Sequence, residues 1–190
     1  MRRISCLLLC LGALALLSGC GMRAYDPSAL AYFDQRPDAP YTLAAGDRLR
    51  IIVFGQDSLS NSYAVDGSGH IAMPLVGSIV AENLTTAQLA RAVEERLRAG
   101  FLKEPRVSVE VEAYRPFFIL GEVTTAGQYP YVNGMTVQTA VAIAGGFTPR
   151  AAQSSAEVTR VIDGRPMTAR VPMTLPVRPG DTIAVKERLF

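Results

Sequence analysis

An uncharged run near the N-terminus limits what the rest of the chain can fold into. Residues 4–17 (ISCLLLCLGALALL) follow Arg2 and Arg3 and carry no charge. This run is shorter than the roughly 20 apolar residues of a transmembrane helix, and it fits the roughly 7–15 residues of a secretory signal. Removal of residues 1–19 would leave 190 − 19 = 171 residues and a single cysteine, Cys20. We therefore expect a fold without an internal disulfide, stabilised by one good hydrophobic core or two small ones.

Cys20 stands where a lipoprotein signal peptidase would cut. Leu17 and two small residues, Ser18 and Gly19, precede it, and the thiol would carry the lipid. An ordinary signal peptide followed by an unmodified cysteine is the alternative, but that thiol would stay unpaired in an oxidising compartment. We predict that Cys20 is the lipidation site. Because Gly21 rather than Asp follows it, we expect an anchor in the outer membrane, on the periplasmic face.

The charges of the cleaved chain balance. Loss of Arg2 and Arg3 leaves 17 basic residues against 17 acidic ones. The sequence has no basic stripe, so we expect no nucleic-acid partner. Residues 20–40 contain aromatics and prolines without a helix or strand period, and they are predicted to form a lipidated tether that reaches at most about 70 Å.

Residues 41–113 are predicted to form a first domain of the α+β class. Residues 48–54 alternate as a strand, and residues 63–65 and 71–73 flank the turn sequence Asp66-Gly67-Ser68-Gly69, which predicts a hairpin between them. Residues 74–80 are expected to continue as an extended segment.

A capped helix and an alternating strand complete this domain. Thr85 and Gln88 have the spacing of a capping box, and Leu89, Val93 and Leu97 recur every four residues, which predicts a helix that Gly100 ends. Residues 106–114 (RVSVEVEAY) alternate apolar and polar side chains, which indicates a strand with one wet face in an antiparallel or mixed sheet.

Residues 114–190 are predicted to form the second domain. Strands are expected at 117–123 and 127–132, a Thr136-capped helix at 137–144, a hairpin of 158–162 with 167–171 around Asp163-Gly164, and a strand after Pro179-Gly180-Asp181. Residues 133–149 carry no charge, so the helix should be buried all round or pack against a neighbour. Its apolar residues are predicted to make core or subunit contacts, and the candidate interface is Val137, Ala140, Val141 and Ala144.

The two domains also share a short sequence. Gly46-Asp47-Arg48-Leu49 is similar to Gly180-Asp181-Thr182-Ile183. Either the domains are related by duplication, or two turn–strand units are alike by chance.

The sequence offers little for catalysis. Its one histidine, His70, lies in a predicted turn, and metal-ligand spacings and phosphate-binding glycine loops are absent from the sequence. The carboxylate pairs Glu94-Glu95 and Glu110/Glu112 are interpreted as solvated surface. We therefore predict no catalytic, cofactor or metal site. Arg115 and Tyr129 are candidates for a sugar-contacting surface or for packing, and the sequence shows no aromatic cluster and no tryptophan.

Several motifs in order resemble one known family. YTLAAGDRLRIIVFGQ (41–56), YAVDGSGHIAMPLVG (63–77), FILGEV (118–123), GQYP (127–130), GMTV (134–137) and AGGF (144–147) follow a lipoprotein signal. The chain resembles the polysaccharide biosynthesis/export lipoproteins of Gram-negative bacteria, in which an export domain precedes a soluble-ligand-binding β-grasp (SLBB) domain.

The resemblance implies a homo-oligomeric ring around a passage for the polysaccharide, with an inner-membrane co-polymerase docked beneath it. The residues after Asp181 are too few to span a bilayer core of roughly 30 Å as a helix. A β-barrel partner or another lipoprotein is therefore expected to complete the outer-membrane crossing.

Three other functions remain open. The chain could be a monomeric lipoprotein whose β-grasp domain binds soluble saccharide. It could be an envelope glycan hydrolase, or a scaffold of another secretion apparatus.

Overall fold

The computed structural model describes residues 33, 40–162 and 164–188. The fold is α+β, as predicted, and its order of elements is as follows: β1 (Arg48–Val53), a short 3₁₀ helix (Asp57–Leu59), β2 (Asn61–Ala64), β3 (His70–Met73), β4 (Gly77–Val80), α1 (Thr86–Arg98), β5 (Val107–Ala113), β6 (Phe117–Gly121), β7 (Gly127–Tyr129), α2 (Val137–Ile143), β8 (Ser155–Ile162), β9 (Arg165–Pro172) and β10 (Thr182–Val185).

The first domain packs helix α1 against an antiparallel sheet of order β2-β1-β5. Alternate residues of β1 (Leu49, Ile51 and Val53) face the core because a strand turns successive side chains to opposite faces. The predicted cap and stripe of α1 are confirmed: Thr85 and Gln88 form the capping box, and the residues at four-residue spacing are buried. This core therefore contains one amphipathic helix, one half-buried sheet and buried residues of β3 and β4 (Ile71, Met73 and Ile79).

The predicted hairpin between residues 63–65 and 71–73 is wrong in its pairing. The turn is present, since Asp66 Oδ1 accepts hydrogen bonds from Ser68 N (2.8 Å), Ser68 Oγ (2.7 Å) and His70 N (3.0 Å). However, β2 pairs with β1, where Tyr63 lies opposite Leu49 and shares its core. The turn therefore carries the chain from one sheet to another.

The segment 74–80 is not extended throughout. Residues 74–76 form a tight turn, with Leu75 at a positive φ of 69°, and β4 folds back on β3 as a separate two-stranded sheet. Turns between adjacent antiparallel strands often need a residue with positive φ. The turn was not predictable from the sequence, because leucine stands at the position of positive φ and the glycine, Gly77, follows the turn.

The second domain is a five-stranded sheet of order β7-β6-β10-β8-β9 with α2 on one face. Strand β10 pairs in parallel with β6 and antiparallel with β8, so the last strand lies at the centre of the sheet. The predicted hairpin of β8 and β9 is confirmed by pairing from Ser155↔Pro172 to Ile162↔Arg165, while its turn residue Asp163 lies outside the described residues.

Two separate hydrophobic cores form, one in each domain. The second core contains an unexpected member, Phe33, whose side chain is 2% exposed. Phe33 belongs to the predicted tether 20–40, of which the structure describes Phe33 and Pro40. At Phe33, therefore, the chain before the first domain is fixed to the second.

Candidate functional site

The sequence repeat Gly-Asp forms the same turn in both domains. Gly46 and Gly180 have φ of +93° and +84°, a conformation that glycine adopts readily. The aspartate after each glycine is buried and accepts a hydrogen bond from the amide three residues earlier: Asp47 Oδ2 from Ala44 N (2.9 Å), and Asp181 Oδ2 from Arg178 N (2.8 Å). The repeat therefore marks two equivalent turns, each of which leads into a central strand of its domain.

Arg115 connects these two turns at the domain junction. Its backbone N–H donates to Asp47 Oδ1 (2.9 Å), and its guanidinium Nε donates to the Pro179 carbonyl (3.1 Å). A methyl group on Gly180 would lie 2.6 Å from Arg115 Nε, so a side chain at this position would have to displace the guanidinium of Arg115. The junction is thus held by hydrogen bonds to both domains.

Three tyrosines line the same junction. The ring centroids of Tyr41 and Tyr114 lie 4.9 Å apart, those of Tyr114 and Tyr131 lie 5.4 Å apart, and both pairs meet edge to face. Such pairs contribute about 0.5–1.5 kcal/mol beyond the burial of their area. The absence of an aromatic cluster, inferred from the sequence, is therefore wrong, because the fold brings together tyrosines that lie far apart along the chain.

The Tyr41 hydroxyl completes the network around Asp47. It donates to Asp47 Oδ2 over 2.6 Å, and Arg115 Nη1 lies 3.4 Å from the hydroxyl oxygen. Burial raises the pKa of Tyr41 above its usual range, and the hydrogen bond to Asp47 raises it further. The phenol is therefore neutral at physiological pH and acts as a donor to the buried carboxylate.

A second buried network fixes Phe33. Arg160 and Asp181 form an ion pair through bonds of 2.9 Å from Nε and 2.7 Å from Nη2. Arg160 also donates to the carbonyls of Phe33 (3.2 Å) and Pro176 (3.0 Å), and its Cζ lies 5.0 Å from the centre of the Phe33 ring. The buried charge of Arg160 is thus satisfied partly by the carbonyl group and the ring of Phe33.

The candidate interface residues Val137, Ala140, Val141 and Ala144 all lie in the core of their own domain. They make core contacts, which is one of the two predicted alternatives. The helix is not buried all round, however, because Gln138, Thr139, Ala142 and Ile143 are exposed. A neighbouring protein chain that packs on α2 would contact this exposed face, which also carries no charge.

The other candidates divide between surface and packing. Glu94 accepts a hydrogen bond from Val107 N (2.9 Å), and Glu112 accepts one from Ser62 Oγ (2.6 Å). Tyr129 stacks on Phe117 with centroids 5.9 Å apart, and Arg115 lies at the junction, so both have packing roles. Cys20 lies outside the described residues.

The sequence carries a signal for one feature of the site and none for another. The repeated Gly-Asp pair signalled the two turns, although it did not reveal that Arg115 contacts both. Phe33 and Arg160 gave no local signal, because their contact joins residues from opposite ends of the chain.

Within residues 40–162 and 164–188 the structure groups no three His, Cys, Asp or Glu side chains as metal ligands. None of the helices described here has both the length and the apolar character needed to cross a membrane.

Comparison with known proteins gives two adjoining matches. A family model described as polysaccharide biosynthesis/export protein matches residues 35–112, and a model of the SLBB domain matches residues 116–171. The exopolysaccharide production protein ExoF of Rhizobium meliloti (strain 1021) is 33% identical over 150 residues. The match covers 73% of this chain and 34% of ExoF, so the chain spans about a third of that relative.

Proposed function

Because this chain belongs to the polysaccharide biosynthesis/export protein family, with an SLBB domain after the export domain, we propose that it is a lipid-anchored subunit of an envelope complex that exports a capsule polysaccharide or exopolysaccharide. The observation that carries this proposal is the adjoining pair of matched domains. Arg115 lies between the two matches and contacts the turns of both domains. The protein acts as a non-catalytic part of a passage.

Exposed apolar side chains of the second domain support assembly into a ring. Ile143 of α2 is 43% exposed, and Phe118 and Leu120 on the opposite face of the sheet are 42% and 46% exposed. Apolar side chains grouped on a surface are typical of contacts between protein chains, and most soluble oligomers are symmetric assemblies of identical subunits. A ring encloses a passage whose wall is contributed equally by every copy.

The mass of the detergent-extracted protein tests the ring. We expect a defined multiple of the monomer mass. Ala142→Asp places a charge on the exposed face of α2 and should lower that mass while the monomer stays folded, with Glu104→Asp as a control on the surface of the first domain. A monomeric mass for the unmodified protein would contradict the ring.

The anchor at Cys20 would hold the second domain close to the membrane. Phe33 follows Cys20 by 33 − 20 = 13 residues. A chain of that length spans at most about 45 Å when fully extended. Since Phe33 is buried in the second domain, the lipid cannot lie farther than this from that domain's surface at Phe33. The first domain is then free to face an inner-membrane co-polymerase across the periplasm.

Labelling with palmitate tests the anchor. We expect label on the unmodified protein and none on Cys20→Ser, with Cys10→Ser labelled normally as the matched control. Label that persists on Cys20→Ser would contradict the assignment.

Weak contact with the polymer suits a passage. Conduction requires contacts that are favourable enough to admit the moving species and weak enough to release it.

Deletion of the gene should stop polymer release, and the unmodified gene should restore it.

A further inference from the structure

A groove of about 310 Å³ opens beside the tyrosines of the junction, on the first domain. Tyr41 and Tyr114 form one part of its wall, Thr85 and Thr86 at the start of α1 form another, and strand β5 forms the floor. We propose that this groove is a weak binding site for a short, uncharged stretch of saccharide. This proposal rests on the proposed function, and it places the sugar contact on the export domain instead of the SLBB domain.

The floor of the groove is a free strand edge. In the sheet order β2-β1-β5, strand β5 has β1 on one side and no strand of the described residues on the other. The amide of Val107 points to that free side, since it donates to Glu94 Oε1 (2.9 Å). Backbone groups of an antiparallel strand repeat their direction every two residues, so the amides and carbonyls of Val109 and Val111 face the groove.

The free edge is too short for another strand. Glu94 occupies it at Val107, and the register shifts beyond Val111, where Arg48 pairs with Ala113. Between these two points, Val109 and Val111 are the residues of β5 whose backbone groups point to the open edge, whereas strands in proteins have about 5–6 residues. Blocked edges of this kind discourage strand addition, which favours a small ligand over a peptide.

The lining has the chemistry that a sugar ring requires. A pyranose presents C–H bonds on its faces, which pack on aromatic rings, and hydroxyl groups around its rim, which need donors and acceptors. Tyr41 and Tyr114 offer rings, while Thr86, Glu110 and the strand edge offer hydrogen-bonding groups. The volume is at the small end of ligand sites, which are about 300–1,000 Å³.

The charge of the groove selects against acidic sugars. Among the described residues that line it, Glu110 carries the only charge. Arg50 lies opposite Glu110 on β1, at the side of β5 away from the free edge, and its charge offsets part of the charge of Glu110 on that side. Carboxylates of an acidic saccharide would meet Glu110 at close range, and like charges repel. A neutral segment therefore fits better than an acidic one.

Nuclear magnetic resonance titration of the full chain in detergent tests the site. The probes are laminarihexaose, a neutral glucose hexamer, and a hexamer of galacturonic acid. We expect laminarihexaose to shift the signals of Val109, Val111 and Tyr114 with a Kd of about 1 mM, a weak affinity at the low end of the usual range, and the acidic hexamer to bind at least 5-fold more weakly. Shifts confined to residues 116–171, or no shift with either probe, would overturn the proposal.

Substitutions separate the groove from its surroundings. Tyr114→Leu should weaken binding of the neutral hexamer at least 10-fold. Glu110→Gln, which keeps the shape of the strand, should reduce the preference for the neutral hexamer to less than 2-fold, while Glu112→Gln, two residues along β5 and outside the groove, should change nothing. A preference that survives Glu110→Gln would overturn the charge argument.

Three further outcomes have distinct meanings. If the signals of Val109 and Val111 shift with protein concentration in the absence of sugar, the groove is a contact between copies and the proposal is wrong. If deletion of the gene blocks polymer release but the groove binds neither probe, this site fails while the export function stands. If deletion of the gene leaves polymer release unchanged, the proposed export function is wrong, whatever the groove binds.

Discussion

Asp181→Ala would leave the guanidinium of Arg160 without its partner in the core of the second domain. The two side chains are 1% and 5% exposed, so water cannot replace the lost carboxylate. Removal of one partner from a buried ion pair costs about 3–5 kcal/mol. At about 2–4 °C per kcal/mol for a chain of this size, the Tm should fall by about 6–20 °C.

The Arg150–Glu187 pair supplies a matched control. Its atoms are as close, at 2.5 Å, but its side chains are 68% and 44% exposed. Because water solvates both groups after either is removed, Glu187→Ala should leave the Tm nearly unchanged. Calorimetry measures both variants, and hydrogen exchange localises the effect: Asp181→Ala should speed exchange in β8 and β10 but not in α1.

The double variant Arg160→Met/Asp181→Ala sharpens the test. It removes both charges, so it should be more stable than Asp181→Ala alone, which retains an unpaired cation. A double variant that loses the sum of the two single effects would refute the explanation by an unpaired buried charge. A Tm of Asp181→Ala equal to that of Glu187→Ala would refute it as well.

Three other perturbations test the packing. Phe33→Ala should destabilise the second domain by about 3–5 kcal/mol, as for other buried phenylalanines, and an unchanged urea midpoint would show that the segment is not held there. Thr85→Ala removes the cap of α1 and should cost about 1 kcal/mol by the same assay; no loss would mean that the capping box is not needed. Ala140→Asp puts a charge at a position that is 0% exposed and should unfold the second domain, whereas Ala142→Asp, on the exposed face of the same helix, should not; equal circular dichroism melts would contradict this placement of α2.

Local patterns predicted the elements well. Helix α1 was predictable because its cap, its four-residue stripe and its end all lie within one short segment. Strand β5 was predictable because one of its faces is exposed to solvent, so apolar and polar side chains alternate along it. In both cases the information that decides the structure is contiguous in the sequence.

Pairing and contacts over long distances were not predictable in the same way. The Asp66 turn has the composition of a hairpin turn, yet its flanking strands pair with β1 and β4, because burial of Tyr63 against Leu49 decides the partner. Charged side chains are normally exposed, and the burial of Arg160 depends on Asp181 and Phe33 together. Such partners are chosen by the fold as a whole.

Newly made polysaccharide, separated into cell-retained and released fractions over time, tests the export role most directly. In a strain that lacks this chain, synthesis should continue at first while the polymer accumulates inside the envelope, and the unmodified gene should restore release. Polymer that reaches the medium at the normal rate without the chain would contradict the account.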